Sequence, residues 1–239
     1  MTALMRMARR LEPEAMDDPR LDPALHRQAL AELSHLNRLA SSDAIVWRAL
    51  RPWLTQAPRH AKRWRLLDIA CGGGDVTLAL WRRARQEQLP LDVHGCDVSP
   101  VALELSTQRA AQAGAQDMAF FACDVIHQPL PEGYDVMVCS LFLHHLDEPQ
   151  TVMLLRKMSQ AARFVLIHDL VRSRPGLWLT WLSTRLLTRS PVVRADGPQS
   201  VRAAWTPREL HMLAQQAGLA GAAVQQCFPY RMVLRWSCA

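Results

Sequence analysis

The sequence predicts an α/β protein built on a doubly wound, seven-stranded and mostly parallel sheet. Short apolar runs alternate with helical stretches from Trp64 to Leu170, which is the pattern of parallel strands joined by right-handed crossovers. A glycine-rich turn, "CGGG", directly follows the first of these runs. The segment "AAVQQCFPYRMVLRWSC" contains two extended stretches around a proline, so a closing antiparallel pair is expected.

Composition and charge limit the classes of protein to consider. With 49% hydrophobic residues, the 239-residue chain can bury a substantial core. We find no apolar run of about 18 residues and no signal-peptide pattern at the N-terminus, so we expect a cytoplasmic protein. The net charge of +6 and the patches "RMARR", "KRWR" and "RRAR" leave nucleic acid or an anionic membrane open as partners. Solvated helix faces are the favoured interpretation of these patches.

Ahead of the first strand, apolar residues recur at spacings of three and four, which predicts two helices between Pro23 and Trp53. The residues that carry this spacing are Leu25, Ala29, Leu33, Leu36, Ile45, Ala49 and Trp53. The run "SSD" at Ser41–Asp43 offers capping side chains between the two helices. We therefore expect an N-terminal helical lid over residues 1–60 and the main domain over residues 61–239.

Within the main domain, five strands are predicted before the C-terminal pair. They are "RLLDIAC", "LDVHGCD", "MAFFACD", "YDVMVCSLF" and "RFVLIHDL". The first is followed by the helix "GDVTLALWRRARQEQ". The second is followed by a helix with Ser99 as N-cap, Pro100 at its first position and Gly114 as its stop. A further helix is predicted near Pro149 to Ala161, between the fourth and fifth strands.

The fifth strand is followed by a long insertion, about residues 171–206, and insertions of this length are usually functional. Its first half predicts an amphipathic helix carrying Leu177, Trp178, Trp181, Leu182 and Leu186 on or near one face. We expect this helix to cover a flat, apolar substrate; core packing is the alternative for each Trp. Peripheral contact with a membrane is a further hypothesis, because arginines flank the helix. They are Arg172, Arg174, Arg185 and Arg189.

The six cysteines show no CxxC pair and no spacing typical of metal ligands. They are predicted to be reduced packing residues, and no metal site is predicted from the sequence.

The glycine turn lies where open α/β sheets bind ligands, outside the carboxyl ends of the strands. No lysine follows Gly72–Gly74 as a P-loop requires, and Thr77 stands where a dinucleotide fingerprint has its third glycine. Three carboxylates, Asp68, Asp97 and Asp124, follow neighbouring strands to the same edge. Such a set repels a pyrophosphate and attracts a cationic ligand with hydroxyl and amino groups to donate.

Four motifs in order resemble those of the class I S-adenosylmethionine-dependent methyltransferases. They are "LLDIACGGGDVTLAL", "VHGCDVS", "FFACDV" and "YDVMVCSLFLHHLDEP". The chain also resembles small-molecule methyltransferases of the quinone-biosynthesis type, and above all those found beside type III polyketide synthases, through "MDDPRLDPALHRQALAELSHLNRLASS" and "SRSPVVRADGPQSVRAAWTPREL". The resemblance implies a Rossmann-like methyltransferase fold and S-adenosylmethionine as cofactor. One departure is Ala70, where the family usually has a glycine.

The resemblance also implies roles for individual residues at the cofactor. Asp68 corresponds to the carboxylate near the amino group, Gly72 and Gly74 to the bare backbone beside the amino-acid part, and Asp97 to the acid that holds both ribose hydroxyls. Asp124 and Val125 correspond to the groups that read the adenine edge. Ala70, Val98 and Ser140 complete the predicted cofactor site.

For the acceptor, we expect a small, hydroxyl-bearing molecule that is aromatic, polyketide-derived or lipidic, with O-methylation preferred to C-methylation. A phenol with a pKa near 10 benefits from a nearby base, and histidine titrates in the required range. The candidates for this base are His145 first, then His144 and His168, all near the carboxyl edge.

Two alternative functions stay open: an RNA or other nucleic-acid methyltransferase, and a non-catalytic protein of the same fold. No [DN]-P-P-[YF] run follows the fourth strand, so no nucleic-acid partner is expected. The oligomeric state, monomer or homodimer, is left open.

Overall fold

The computed structural model describes residues 7–55 and 63–238 and confirms the predicted architecture. The sheet has the order β3-β2-β1-β4-β5-β7-β6. All neighbours pair in parallel except β7, which pairs antiparallel with β5 and β6. The strands are β1 (Trp64–Ile69), β2 (Leu91–Asp97), β3 (Ala119–Ala122), β4 (Val136–Ser140), β5 (Phe164–Leu170), β6 (Ala223–Cys227) and β7 (Arg231–Ser237).

Eight α-helices surround the sheet in the part of the chain just defined. They are α1 (Pro23–Leu39), α2 (Ser42–Leu54), α3 (Asp75–Gln86), α4 (Pro100–Gln112), α5 (Glu148–Ala161), α6 (Arg174–Leu187), α7 (Pro191–Ala203) and α8 (Pro207–Gln216). No helix among the described residues is long and apolar enough to cross a membrane. The predicted start of α4 is confirmed, because the Ser99 side chain accepts from the Ala102 N–H.

The sheet is buried on both faces, as a parallel sheet requires. Every residue of β5 is buried, and alternate side chains enter two separate cores. One core includes Ile167 together with α5 and α8, and the other includes Leu166 together with α2 and α3. The chain passes from β3, at one edge, back to β4 beside β1. This reversal opens the crevice at the carboxyl ends of β1 and β4.

The two N-terminal helices lie in different surroundings. Helix α2 packs into the second core, where the Trp53 ring lies 4.9 Å from the Phe164 ring, centroid to centroid. Helix α1 packs against α4 and α7, above the carboxyl edge. The predicted division at residues 60 and 61 lies outside the described residues. The run Ser41–Asp43 was predicted to supply capping side chains, but the N-cap residue, Ser41, adopts φ +55° and its side chain makes no capping hydrogen bond.

Residues 7–22, the N-terminal segment, cross the molecule from the α7–α8 region to the start of α1. The Arg9 guanidinium lies 3.5 Å from the centre of the Trp205 ring and donates to the Leu146 carbonyl. The backbone N–H groups of Ala15 and Met16 both donate to the Asp196 carboxylate of α7, at 3.0 Å. These contacts fix a short 3-10 turn, Ala15–Asp17, beside the carboxyl edge.

The insertion after β5 forms two helices: α6, which matches the helix predicted for its first half, and α7, for which no prediction was made. Helix α7 contains Gly197 and Pro198, residues that usually disfavour a helix interior. A side chain at position 197 would begin 2.9 Å from the Thr184 methyl group of α6, so this glycine allows the two helices to pack closely. Trp178 and Trp181 of α6 are 63% and 45% exposed. The expectation that they contact a substrate is therefore wrong, since they face outward.

We predict that Leu166→Ala lowers the free energy of unfolding by about 3 kcal/mol, because it leaves a cavity in a fully buried position of β5. Leu186→Ala is the matched control, because Leu186 is 72% exposed and should change stability by less than about 0.5 kcal/mol. Urea unfolding followed by circular dichroism gives both values. Equal losses in the two variants would contradict the packing described for β5.

Candidate functional site

One cavity of about 1050 Å³ occupies the carboxyl edge of the sheet. Its floor consists of the segments that follow β1 to β5, and its roof consists of the N-terminal segment, α1, α6 and α7. The turn between β6 and β7 closes one side with Pro229 and Tyr230. The cavity thus joins the predicted cofactor residues to the elements that the sequence placed over an acceptor.

The glycine loop, residues 70–74, leaves the sheet through three positive φ angles. Gly72 and Gly74 have φ +53° and +71°, which glycine adopts without strain. Ala70 has φ +51°, so the departure from the family motif costs local backbone strain at this position. Gly74 does not line the cavity. A side chain there would begin 2.7 Å from Cβ of Ser106, so this glycine serves packing between α3 and α4.

Asp68, at the end of β1, is 1% exposed and borders the cavity. Its Oδ2 accepts from the Thr77 hydroxyl at 2.6 Å, whereas its Oδ1 is buried without a hydrogen-bond partner among the described residues. Burial raises the pKa of this carboxyl from 3.8 to about 7. A buried acceptor without a partner is costly, so the arrangement suits a ligand that brings a donor or a positive charge.

Asp97 and Asp124 continue the acidic edge along β2 and β3. The Oδ2 of Asp97 accepts from the Gly72 N–H at 2.8 Å, and its Oδ1 accepts from the Ser99 N–H at 2.9 Å. Asp124 accepts from the backbone N–H of Ile126 at 3.0 Å. Both residues border the cavity, so each holds its own loop and lies beside the space that a ligand would occupy.

The other predicted cofactor residues also border the cavity, apart from Gly74 discussed above. They are Ala70, Gly72, Val98, Val125 and Ser140. Val98 is 69% exposed, which leaves its apolar side chain free to cover a flat ring. The buried Ser140 hydroxyl has no partner among the described residues. The sequence missed Gly73 and Asp75, which line the cavity beside Gly72.

Of the three predicted histidines, His144 and His145 reach the cavity from the turn after β4. The Nδ1 of His144 lies 2.7 Å from Oδ1 of the buried Asp169, and the Nδ1 of His145 lies 2.9 Å from Oδ2 of Asp17. The two imidazole rings are neighbours, with centroids 4.4 Å apart. Both rings are therefore held at Nδ1 by carboxylates.

His168 occupies a different environment from the other two. It is completely buried within β5 and does not line the cavity, and neither ring nitrogen has a partner among the described residues. Burial, with the nearby charge of Arg231, lowers its pKa to about 3. A group without access to the cavity cannot take a proton from an acceptor there. The structure thus contradicts the expectation that His168 takes part in catalysis.

Glu14 is a site residue that sequence reasoning missed. It is 8% exposed, borders the cavity and accepts from the Ser200 hydroxyl at 2.6 Å. Its two carboxylate oxygens each lie 4.0 Å from an Nε2 atom, one of His144 and one of His145. We call Glu14, His144 and His145 the histidine cluster. The acid-rich stretch "EPEAMDD" is the sequence feature that could have pointed to Glu14 as a site residue. The histidines that it contacts lie about 130 residues away in the sequence, however.

Burial and neighbouring charges shift the pKa values of residues in and around the histidine cluster. Burial raises the pKa of Glu14. Burial alone would lower the pKa of His145, but the hydrogen bond to Asp17 and the charge of Glu14 raise it to about 9. His145 therefore carries a proton at neutral pH in the unliganded protein, which opposes its predicted role as a free base. For Asp169, burial opposes ionisation, but the adjacent His144 holds the pKa below its usual value.

Comparison with known proteins agrees with the fold and with a methyltransferase domain. The profile of a methyltransferase domain family matches residues 66–163. A ubiquinone biosynthesis O-methyltransferase of Bordetella parapertussis is 23% identical over 70% of the chain and 66% of its own length. A demethylmenaquinone methyltransferase of Thermus thermophilus is 36% identical over 41% of each chain. Such matches cover between 34% and 66% of the relatives' own length.

Solved structures show the same fold. An O-methyltransferase from neocarzinostatin biosynthesis, in complex with S-adenosylmethionine and 2-hydroxy-5-methyl naphthoic acid, has a TM-score of 0.64 at 19% identity over 95% of this chain and 62% of its own. The plantazolicin methyltransferase BpumL, in complex with a substrate analogue and SAH, has a TM-score of 0.66 at 14% identity over 94% of both chains.

The fold, the acidic glycine-loop cavity and the profile match agree with the four motifs read from the sequence. Residues 66–163 match the methyltransferase-domain family, which supports the resemblance of the chain to the class I S-adenosylmethionine-dependent methyltransferases and S-adenosylmethionine as its cofactor.

Proposed function

We propose that the protein transfers a methyl group from S-adenosylmethionine to a hydroxyl of a small aromatic acceptor. One observation carries this proposal: a single cavity connects the acidic glycine-loop edge to the histidine cluster. The donor then lies over β1 to β3, and the acceptor lies between the turn after β4 and the helical roof. Their reacting atoms meet where these two regions join.

The acidic edge offers a matching partner for each polar part of the donor. The orphaned Oδ1 of Asp68 suits the ammonium group, because a buried carboxylate without a donor gains most from a positive one. Asp97, at the end of β2, suits the ribose hydroxyls, and the segment Asp124–Val125 suits the adenine edge. The exposed Val98 provides an apolar surface for the adenine ring.

Apolar side chains supply much of the lining at the acceptor end, and the histidine cluster forms a polar corner of it. Apolar side chains from α1, α6, α7 and the turn after β4 line it: Leu33, Leu36, Leu141, Phe142, Leu179, Leu187 and Val193. At about 1050 Å³ the cavity exceeds the usual volume of a site for one small ligand, so it has room for donor and acceptor together. A ring with an apolar substituent fits this lining, with its hydroxyl in the polar corner.

Methyl transfer requires alignment more than chemical activation of the donor. The sulfonium is already a good leaving group, so the protein must hold the acceptor oxygen in line with the methyl carbon and sulfur. In the polar corner, Nδ1 contacts to Asp169 and Asp17 fix the orientations of His144 and His145. We propose that these fixed rings position the acceptor hydroxyl. The O-methyltransferases among the relatives and structural neighbours favour O-methylation over C-methylation.

Nucleic acid is a weaker alternative acceptor. Several of the arginines that first raised it are bound within the protein: Arg83 pairs with Asp43 at 2.6 Å, and Arg63 pairs with Asp92 at 2.7 Å. Arg9 lies over Trp205. These contacts leave fewer guanidinium groups available for phosphate binding.

The experiment that tests the proposal measures donor binding and turnover in Asp97→Asn. We expect S-adenosylhomocysteine affinity to fall about 10- to 100-fold, because the amide removes a charged acceptor worth about 1.5–3 kcal/mol. Calorimetry measures the binding, and mass spectrometry measures methylation of a panel of phenols, resorcinols and naphthols. Asp92→Asn, in the same strand at the opposite end, is the control. Donor binding without methylation of any panel member would contradict the proposed acceptor class.

Asp68→Asn should separate stability from cofactor binding. Its folded pKa of about 7 lies above the ordinary 3.8, so the native state binds this proton more tightly. The contribution of this tighter proton binding to the free energy of unfolding is fully present below pH 4 and is lost as the pH rises through 7. We therefore expect the variant to melt at a higher temperature than the wild type at pH 8 and with little difference at pH 4. Its affinity for S-adenosylhomocysteine at pH 8 should fall at least tenfold; a lower Tm at pH 8 would count against a buried, unpaired Asp68.

The outward face of α6 supports the hypothesis of a peripheral membrane contact. It combines the exposed Trp178, Trp181 and Leu186 with Arg174 and Arg185. We expect the protein to co-sediment with vesicles containing anionic phospholipid, and Trp178→Ser/Trp181→Ser to reduce the bound fraction at least fivefold. Met212→Ser, an exposed apolar position on α8, is the control. Absence of wild-type binding, or an unchanged double variant, would remove the hypothesis.

A further inference from the structure

We propose that the histidine cluster is a binding site for one divalent transition-metal ion at the acceptor end of the cavity. The ligand atoms are a carboxylate oxygen of Glu14 and the Nε2 atoms of His144 and His145. One possible ligand atom from each of the three residues lies within 4.8 Å of the other two, and each Nε2 lies 4.0 Å from a Glu14 oxygen. This assignment departs from the sequence, which predicted no metal because it considered only the cysteines.

The distances fit an open set of ligands better than a hydrogen-bonded network. Each Nε2 lies 4.0 Å from a Glu14 oxygen, which is too long for a hydrogen bond. Two ligands of one tetrahedral zinc ion lie about 3.3 Å apart, as follows from bond lengths of about 2 Å. Small side-chain movements would therefore close the set around an ion.

The contacts at Nδ1 prepare both rings for this role. Each Nδ1 atom lies within hydrogen-bond distance of a carboxylate, Asp169 for His144 and Asp17 for His145. A neutral ring that donates from Nδ1 presents its lone pair at Nε2, on the side of Glu14. His145 carries a second proton at neutral pH in the unliganded protein, so an ion that binds its Nε2 must displace that proton. Metal-binding histidines commonly show this carboxylate–histidine arrangement, which fixes the tautomer and the ring orientation.

The charges of the corner also favour a cation. Glu14, Asp17 and Asp169 surround the two imidazoles, and Glu14 and Asp169 are 8% and 1% exposed. The Ser200 hydroxyl is the hydrogen-bond donor to Glu14, at 2.6 Å. The neutral hydroxyl does not offset the Glu14 charge, so the corner holds three carboxylates against the one protonated ring of His145. Burying such an excess of negative charge is expensive. A divalent ion would balance it while leaving coordination positions open toward the cavity.

A catalytic role for the ion rests on the proposed function, because its open coordination positions would face the part of the cavity that we propose for the acceptor. An acceptor hydroxyl bound to the ion would lose its proton to solvent more easily. The oxygen would then form a bond to the methyl carbon as the carbon–sulfur bond breaks and its electron pair passes to sulfur. The products are a methyl ether and a thioether, and no oxidant or reductant is needed.

Cobalt(II) is the probe of choice, because its visible spectrum reports the ligands. The full chain, stripped with chelator, is titrated with Co²⁺ without donor or acceptor. We expect one ion per chain with nitrogen and oxygen ligands, and at least tenfold weaker binding in Glu14→Gln and in His145→Gln. Glu12→Gln and His211→Gln, an exposed neighbour and a remote histidine, should bind as the wild type does. Thermal melting establishes that each variant is folded.

Three outcomes would overturn the site: no one-to-one binding, equal binding in all variants, or the charge-transfer band of a cysteine-bound ion. Methylation at full rate by metal-free protein would also remove the role in catalysis while leaving the proposed function intact. Conversely, Co²⁺ bound at this cluster in a protein that methylates no phenol would keep the site and reject the proposed acceptor. Metal binding and methyl transfer are thus tested separately.

Discussion

The structure depends on the shared direction of its parallel strands. Because β1 to β5 all end at one edge, the polar residues that follow them converge there, above a sheet buried on both faces. The convergence places Asp68, Asp97 and Asp124 beside a turn with little side-chain bulk. It also imposes a cost at the most buried of the three, because burial raises the pKa of Asp68 to about 7 and one of its oxygens has no partner among the described residues. A cationic ligand relieves that cost, which links the stability of the edge to what binds there.

Much of the carboxyl edge could be predicted from the sequence, because the patterns that specify it lie within short stretches of the chain. Strand alternation, the glycine turn and the acids at strand ends each depend on neighbours within a few residues. The same is true of the Ser99 cap on α4. Local patterns also explain the errors. The apolar spacing of α6 indicated a buried stripe, but spacing does not say which side meets solvent, and Trp178 and Trp181 face outward.

The acceptor end was harder to predict because it is assembled from distant segments. Glu14 lies beside His144 and His145 because contacts from α7, such as those of Asp196 to the backbone of Ala15 and Met16, hold its segment there. Periodic patterns in the sequence do not predict contacts between residues so far apart along the chain. His168 shows the opposite problem. Its position in a strand end was correct, yet the pleat turns its side chain into the core between the helices and away from the crevice.

The position of β7 has a consequence for how the molecule is made. This strand supplies the second edge of β5 and separates it from β6, although it is synthesised after α6, α7, α8 and β6. On the ribosome, β5 must therefore wait with one row of backbone groups unpaired while those helices emerge. Closure of the sheet becomes a late event in biogenesis. Ribosome stalling between α8 and β7 would leave an open, aggregation-prone sheet for chaperones to cover.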